Sequence, residues 1–435
     1  MRGAWLGTVA ANGAILVSGI ATGVVAARLL GPTDRGSLAA VLFWPQCLAE
    51  LASLSLSEAI VSRAAKSSAS LSSLASTATV LSLAAALPTF LLGVLLLPWL
   101  LGPERQAVSL LAIAYFAAYL PLGPLSTPLY ARDLAEQRFS RVNVLRLSPS
   151  WLYLAGIGAL WLAGAVSVAS LVWASWLGAC LTVLARCWVG RDLLASQPSV
   201  LEMRALLSLG ARFHVGTVLS LLAGQADRMA LFMLFDDETA GHYVVAATCA
   251  SSGLAVVTSA VSFVLLPALA AEPDRCRARA VLATALRRTA LFLYAGIIGS
   301  IAVTPWLLPV LFGRAFDDAV PLALLLLLAV VPFTLRQTIV RCVRAFGEAR
   351  IGVTNELAVL ASFALACPVA LGLGLGAEGL AAATIVANMA GLAVAGRHLH
   401  ARHAIPAHAW LVPGPTMIRD GLSLAAQLAL PRFAR

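Results

Sequence analysis

The chain is a succession of apolar runs, each roughly 20 residues or longer, broken by short polar stretches. A run of that length matches the ~20 residues an α-helix needs to cross a bilayer, and is far too long for the ~9–11-residue strands of a membrane barrel. The bilayer offers no water to backbone groups, so helices are the expected element. The expected spans are 5–29, 38–62, 75–101, 107–130, 143–164, 167–189, 209–235, 241–268, 289–312, 319–342, 351–374 and 377–396. The run from Trp5 to Leu30 exceeds the ~7–15-residue core of a signal peptide and reads as the first span. Apolar residues make up 60% of the chain and charged residues 11%, which excludes a soluble globular or disordered protein. Cys47, Cys180, Cys187, Cys249, Cys276, Cys342 and Cys367 are widely spaced and read as small hydrophobes, not a disulfide frame or metal site.

Orientation follows from the basic residues. With the N-terminus inside, the inside segments hold 24 of the 30, and the outside breaks hold only Arg28, Arg35, Arg105 and Arg314. Arg228 and Arg336 lie within spans. This positive-inside bias predicts twelve crossings with both termini cytoplasmic. It also accounts for the net charge of +10 through anionic lipid, so the bilayer is the expected partner and nucleic acid is not.

The two halves resemble each other. Leu97-Pro-Trp-Leu-Leu-Gly102 matches Leu308-Pro-Val-Leu-Phe-Gly313 at an offset of 211, as Pro121 matches Pro332. Arg132, Glu136 and Arg138 match Arg344, Glu348 and Arg350 at 212, and Gly36 matches Gly241 at 205. Six spans per repeat is an even number, so both halves enter the membrane in one direction and their pseudo-twofold axis lies along the membrane normal. The expected organisation is a six-helix lobe at 1–190, a linker at 191–208, a second lobe at 209–396 and a basic tail at 397–435.

Ala27-Arg-Leu-Leu-Gly-Pro-Thr-Asp-Arg-Gly36 resembles the first turn of Wzx-type polysaccharide flippases. So do Gln225-Ala-Asp-Arg228 followed by Gly241-His-Tyr243, the segment Leu311–Phe316, and Arg344 with Gly347-Glu-Ala-Arg350. That family belongs to the multidrug/oligosaccharidyl-lipid/polysaccharide (MOP) exporter superfamily, with the multidrug extruders and lipid II flippases. The resemblance implies an all-α membrane protein with two six-helix lobes around a central cavity. It implies flipping of undecaprenyl-pyrophosphate-linked glycans across the bacterial cytoplasmic membrane, without enzymatic activity or an organic cofactor. It further implies coupling to a proton or sodium gradient, a monomeric state, and polysaccharide polymerase machinery as a partner. A drug extruder and an integral-membrane glycan polymerase or glycosyltransferase are the alternatives. The short outside breaks leave little room for an enzyme's catalytic loop.

A charge at mid-span costs about 2.5–3.5 kcal/mol on insertion scales, so intramembrane charges mark candidate sites. Gln46, Glu50, Ser53 and Ser57 form one helical stripe in the second span, where Pro45 is expected to bend the helix. Glu50 is the expected cavity carboxylate. Arg336, with Gln337 beside it, and Arg228 are the arginines deepest in spans, suited to a pyrophosphate because guanidinium forks grip phosphate oxygens and stay charged. Arg28 is placed to receive the headgroup at the outer end. In the wider superfamily a carboxylate on the seventh span helps bind a coupling cation. By depth, Asp227 with Thr384 and Asn388 would form that set, and Asn355 and Glu356 are left out of it.

Gly374-Leu-Gly-Ala-Glu-Gly379 matches a dinucleotide fingerprint, but no strand precedes it and turn glycines explain it. Lys66 lacks the glycine of a Walker motif, so the chain does not hydrolyse ATP. His398, His400 and His403 open the basic tail and read as headgroup contacts. Met417–Leu430 is expected to lie along the interface.

Overall fold

Leucine- and alanine-rich runs bury no polar side chain and lose little rotamer freedom as helices, and the computed structural model is accordingly helical. It describes residues 2–64, 70–194, 196–251, 275–346, 348 and 350–411. Lys66, the end of the expected eighth span and Met417–Leu430 lie outside these residues. Among the described residues, 9 helices are long and apolar enough to cross a membrane.

Helix α1 (Arg2–Ala52) holds the first expected span and most of the second, joined at Gly31 (φ 76°, ψ 179°), a conformation glycine reaches without steric cost. The chain stays helical through Pro45 and breaks instead at Ser53–Ser55, where Leu54 and Ser55 both have positive φ. It resumes as α2 (Leu56–Ala64). The expected bend at Pro45 is therefore replaced by a full break one turn below Glu50. Helix α3 (Leu71–Leu101) starts at Ser70, whose side chain accepts from Ser73 N. The expected fourth span is divided into α4 (Gln106–Tyr119) and α5 (Leu122–Ala135) at Leu120–Pro121. Helices α6 (Phe139–Leu162) and α7 (Val168–Val189) follow, the latter opened by a Ser167–Ser170 capping box. After the single turn α8 (Arg191–Leu194) come α9 (Val200–Leu234) and α10 (237–251). Then α11 (Arg275–Phe312), α12 (Ala319–Ala345), α13 (Arg350–Gly372), α14 (Gly376–His403) and the turn α15 (His408–Leu411) complete the chain. Unlike the α4–α5 pair, α12 runs on through its matching proline, Pro332. Gly374 and Gly376 have positive φ at the α13–α14 turn, the role expected for the glycine motif.

Hydroxyls within the helices are satisfied locally. Thr22, Thr79, Thr182, Thr334 and Thr338 each donate to the carbonyl four residues earlier. The described cysteines are free, with Cys342 and Cys367 buried.

Packing divides the chain into one unit of residues 1–245 with Leu311–Phe316, and a second of 246–310 with 317–435. Helix α9, which takes up the end of the expected linker together with the seventh span, packs against α2 and α3 of the first unit. Arg63 fixes this contact through Glu202, at 2.9 and 3.1 Å. In the second unit α14 packs against both α12 and α13 over a core that includes Leu335, Ile339, Leu399 and Trp410.

The matched glycines meet in the first unit. A Cβ at Gly36 would strike the Asp237 carbonyl, and one at Gly241 would strike the Pro32 carbonyl. Gly36→Ala and Gly241→Ala should each lower the thermal midpoint of the detergent-purified protein, by the about 1–3 kcal/mol typical of overpacking. Gly216 has open space around it, so Gly216→Ala should leave the midpoint unchanged or raise it. Equal midpoints for all three would show that these close approaches do not constrain the fold.

Candidate functional site

The first unit encloses a cavity of about 530 Å³. Gln46, Glu50 and Ser53 of the predicted stripe line it, with Gln225 and Arg228 of α9 and Thr182 and Arg186 of α7. Four of the seven expected cavity residues thus meet in one place. The α1 helix presents Gln46 and Glu50 one turn apart with Ser53 following, and the break at Ser53–Ser55 takes Ser57, the fourth residue of the expected stripe, out of the lining. Gln46 Nε2 donates to the Tyr115 hydroxyl at 3.1 Å. Arg228 Nη1 donates to Gln225 at 3.2 Å.

Two further arginines matter here: Arg35, expected in an outside break, and Arg186, at the inner end of the expected sixth span and counted with the inside basic residues. Arg186 is buried, its guanidinium 5.3 Å from the Tyr130 ring centre, and its Nε makes no hydrogen bond. Nε of Arg35 is likewise buried without one, within electrostatic reach of Arg228 and Tyr153. A buried guanidinium N–H left unsatisfied costs more than the ~1–3 kcal/mol of a neutral group. Arg186 lines the cavity and Arg35 does not; a donor of the Arg186 kind beside a polar cavity suits an anion with several oxygens, and Glu50 supplies a carboxylate open to the same space.

Arg336 has a different setting. It lies in the second unit at 1% exposure, and its partners among the described residues lie inside that unit. Nε donates to Asn388 at 2.9 Å, and Nη1 donates to Asn355 at 2.9 Å and to Glu356 at 3.0 Å. Gln337 donates to the other Glu356 oxygen at 3.3 Å, and the Phe333 ring lies over the guanidinium. Gly391 gives the arginine stem room, since a Cβ there would crowd Val359 and Arg336. Arg336 and Gln337, expected to face substrate, are thus engaged by Glu356, a residue set aside on the sequence. Of the expected cation set, Asn388 holds Arg336 and donates to Thr384 O at 2.8 Å. The Thr384 hydroxyl donates to Leu380 O. Asp227 belongs to the first unit and accepts from the Tyr243 hydroxyl at 3.1 Å.

The turns expected on the outer side form a knot in the first unit. Gly102 (φ 77°) and Gly313 (φ 97°) each precede a 3₁₀ turn, Pro103–Arg105 and Arg314–Phe316, so the sequence repeat recurs in backbone form. Arg105, 2% exposed, donates to Phe232 O at 2.6 Å and Phe235 O at 3.0 Å, and pairs with Asp237, which also accepts from Ser37. Arg28 Nε donates to Leu311 O at 2.7 Å. Its expected role as headgroup receiver therefore begins from a carbonyl-bound state.

Of the tail histidines, His398 and His403 turn toward Glu348 in the α12–α13 turn, at 2.6 and 3.3 Å, while His400 is exposed. Burial works to raise the Glu348 carboxyl. The hydrogen bond from His398 and the fields of His403, His398 and Arg402 outweigh it and hold the carboxyl below the usual range.

Breaking one partner of the buried Arg336 pair leaves an uncompensated charge. Glu356→Leu should therefore destabilise the protein by about 3–5 kcal/mol, whereas replacing both Arg336 and Glu356 by leucine should recover most of that loss. Thermal unfolding in detergent measures both, and a double variant no better than the single one would show that the pair is not the source of the loss.

A family model described as "Polysaccharide biosynthesis protein" matches residues 25–321. No curated protein matches the chain by sequence. Among solved structures, "Lipid II flippase MurJ, inward closed conformation" superposes with a TM-score of 0.77 at 16% identity, covering 100% of this chain and 94% of that one. An inward-facing multidrug resistance MATE family transporter of the MOP superfamily gives 0.69 at 15% identity, covering 90% and 94%. The outward-facing conformation of such a transporter gives 0.63 at 15%, covering 92% and 95%. These likenesses establish the fold, that of a multi-pass membrane protein, which this chain shares with those structures. The match over residues 25–321 establishes the family: the chain belongs to the polysaccharide biosynthesis protein family.

Proposed function

We propose that this protein is a flippase that moves undecaprenyl-pyrophosphate-linked oligosaccharide or polysaccharide repeat units from the inner to the outer leaflet by alternating access. The observation that carries this reading is the polar cavity in which Arg228 and the unsatisfied Arg186 share space with Glu50. A pyrophosphate cannot enter hydrocarbon alone, and guanidinium groups keep their charge at any physiological pH. Glu50 is the group able to exchange a proton with water as the anion arrives or leaves. Asp227 is kept as the candidate carboxylate for a proton or sodium ion. The protein works as a monomer in the bacterial cytoplasmic membrane, beside the machinery that polymerises the exported units. Release to the outer side requires the knot of Arg105, Asp237 and Ser37 to open. The second reading, a cation-coupled multidrug extruder, draws on the likeness to MATE transporters and on a carboxylate in the cavity.

Binding separates the two readings. Replacing Arg186 and Arg228 together by alanine should weaken binding of a lipid-pyrophosphate at least tenfold, about 1.4 kcal/mol, and leave an uncharged lipid of equal chain length unaffected. Preference of the unaltered protein for lipophilic cations over the lipid-pyrophosphate would favour the extruder. Glu50→Ala should abolish surface delivery of the glycan at unchanged protein level, and normal delivery would remove Glu50 from the mechanism.

Topology is tested separately. We propose twelve crossings in two six-helix lobes with cytoplasmic termini. Reporter fusions at Arg105, Glu238 and Glu378 should read outside, and those at Lys66, Arg277 and Glu348 inside. A consistent reversal at any one of them would overturn the assignment.

A further inference from the structure

The second unit carries a cluster that the transport reading does not use. We propose that Glu348, His398 and His403 bind a divalent transition-metal ion of the zinc class, clipping the α12–α13 turn to the C-terminal end of α14.

The donor set points to that class of ion. Two imidazole nitrogens and one carboxylate oxygen suit zinc and its neighbours, whereas calcium and magnesium take oxygen ligands. The three ligand atoms lie within 4.8 Å of one another. Each carboxylate oxygen faces a different ring, with Oε2 2.6 Å from His398 Nε2 and Oε1 3.3 Å from His403 Nε2. Tetrahedral ligands at ~2.0–2.1 Å from zinc stand roughly 3.3 Å apart, so a small outward movement of His398 makes room for an ion.

A second observation is independent of this spacing. His403 is 8% exposed, and its buried Nε2 faces Glu348 Oε1 at 3.3 Å without a well-aligned hydrogen bond to any described residue. An unsatisfied buried nitrogen is costly, and a bond to metal would satisfy it. The ring is held in place for that purpose. It lies 5.2 Å from the Phe346 ring, and the following Ala404 ends α14 in a left-handed conformation (φ 54°). Glu348 and the His398 side chain are partly exposed, which leaves an approach for the ion and for a fourth ligand from solvent. Arg402 and Arg279 lie within electrostatic reach of the cluster. Their charge opposes ions held by electrostatics alone and leaves those that bond to nitrogen.

The test is calorimetric titration of Zn²⁺ into the chelator-stripped, full-length protein in detergent. One equivalent should bind with micromolar or tighter affinity. Ca²⁺ and Mg²⁺ should give no heat. His398→Ala and Glu348→Gln, at the more exposed positions, should weaken binding at least tenfold. His400→Ala, on the same helix but outside the cluster, should bind as the unaltered protein does. Zn²⁺ should also raise the thermal midpoint of the unaltered protein and not that of Glu348→Gln. Absence of stoichiometric binding, or equal binding by the His398→Ala and His400→Ala variants, would overturn the proposal.

Discussion

A polar group carried into a bilayer must find its partner within the protein or beside a wet cavity, and this requirement sorts the buried charges of the chain into two kinds. Arg336 is of the first kind. Three side chains from α13 and α14 accept its protons, and Gly391 yields the space for its stem. Arg186 is of the second, since it lines the cavity and its buried Nε has no acceptor among the described residues. A satisfied guanidinium holds helices together, and one left unsatisfied beside a cavity has a donor to spare. The same criterion that gives Arg336 a structural setting makes Arg186 the more informative residue about substrate.

Much of the site was legible from spacing. The stripe of Gln46, Glu50 and Ser53 recurs at helical period in an otherwise apolar run, and side chains of that period share a face wherever the helix is packed. Ser57 left the stripe because the chain breaks after Ser53, and positive φ at Leu54 and Ser55 follows no glycine signal. Arg186 was counted with the inside basic residues although it falls in the expected sixth span, and its burial in the last turn of α7 shows only in the packing. Glu356 was set aside because its depth was measured against the seventh span. Its distance from its own hairpin is the useful measure: Arg336 and Glu356 stand 10 residues on either side of Phe346 and so lie at equal depth on neighbouring antiparallel helices.

The repeat was visible as matched residues, yet its role shows only in three dimensions. Gly36 and Gly241 are equivalent in sequence and meet each other's segments, each admitting a backbone carbonyl that any side chain would exclude. Gly102 and Gly313 are equivalent and start matching turns, but one turn buries Arg105 and the other Phe316. Duplicated backbone with diverged side chains lets one turn be held by charge and the other by aromatic packing, where Phe316 meets His242 and Phe312.

The grip of Arg105 has a consequence for where that turn is able to move. Its guanidinium caps the carbonyls of Phe232 and Phe235 at the end of α9, groups that no helix hydrogen bond satisfies. Withdrawing the arginine strips those oxygens of their donors, and only water is small and abundant enough to replace them at once. Any movement of this turn therefore carries the cost of hydrating two carbonyls at the end of α9.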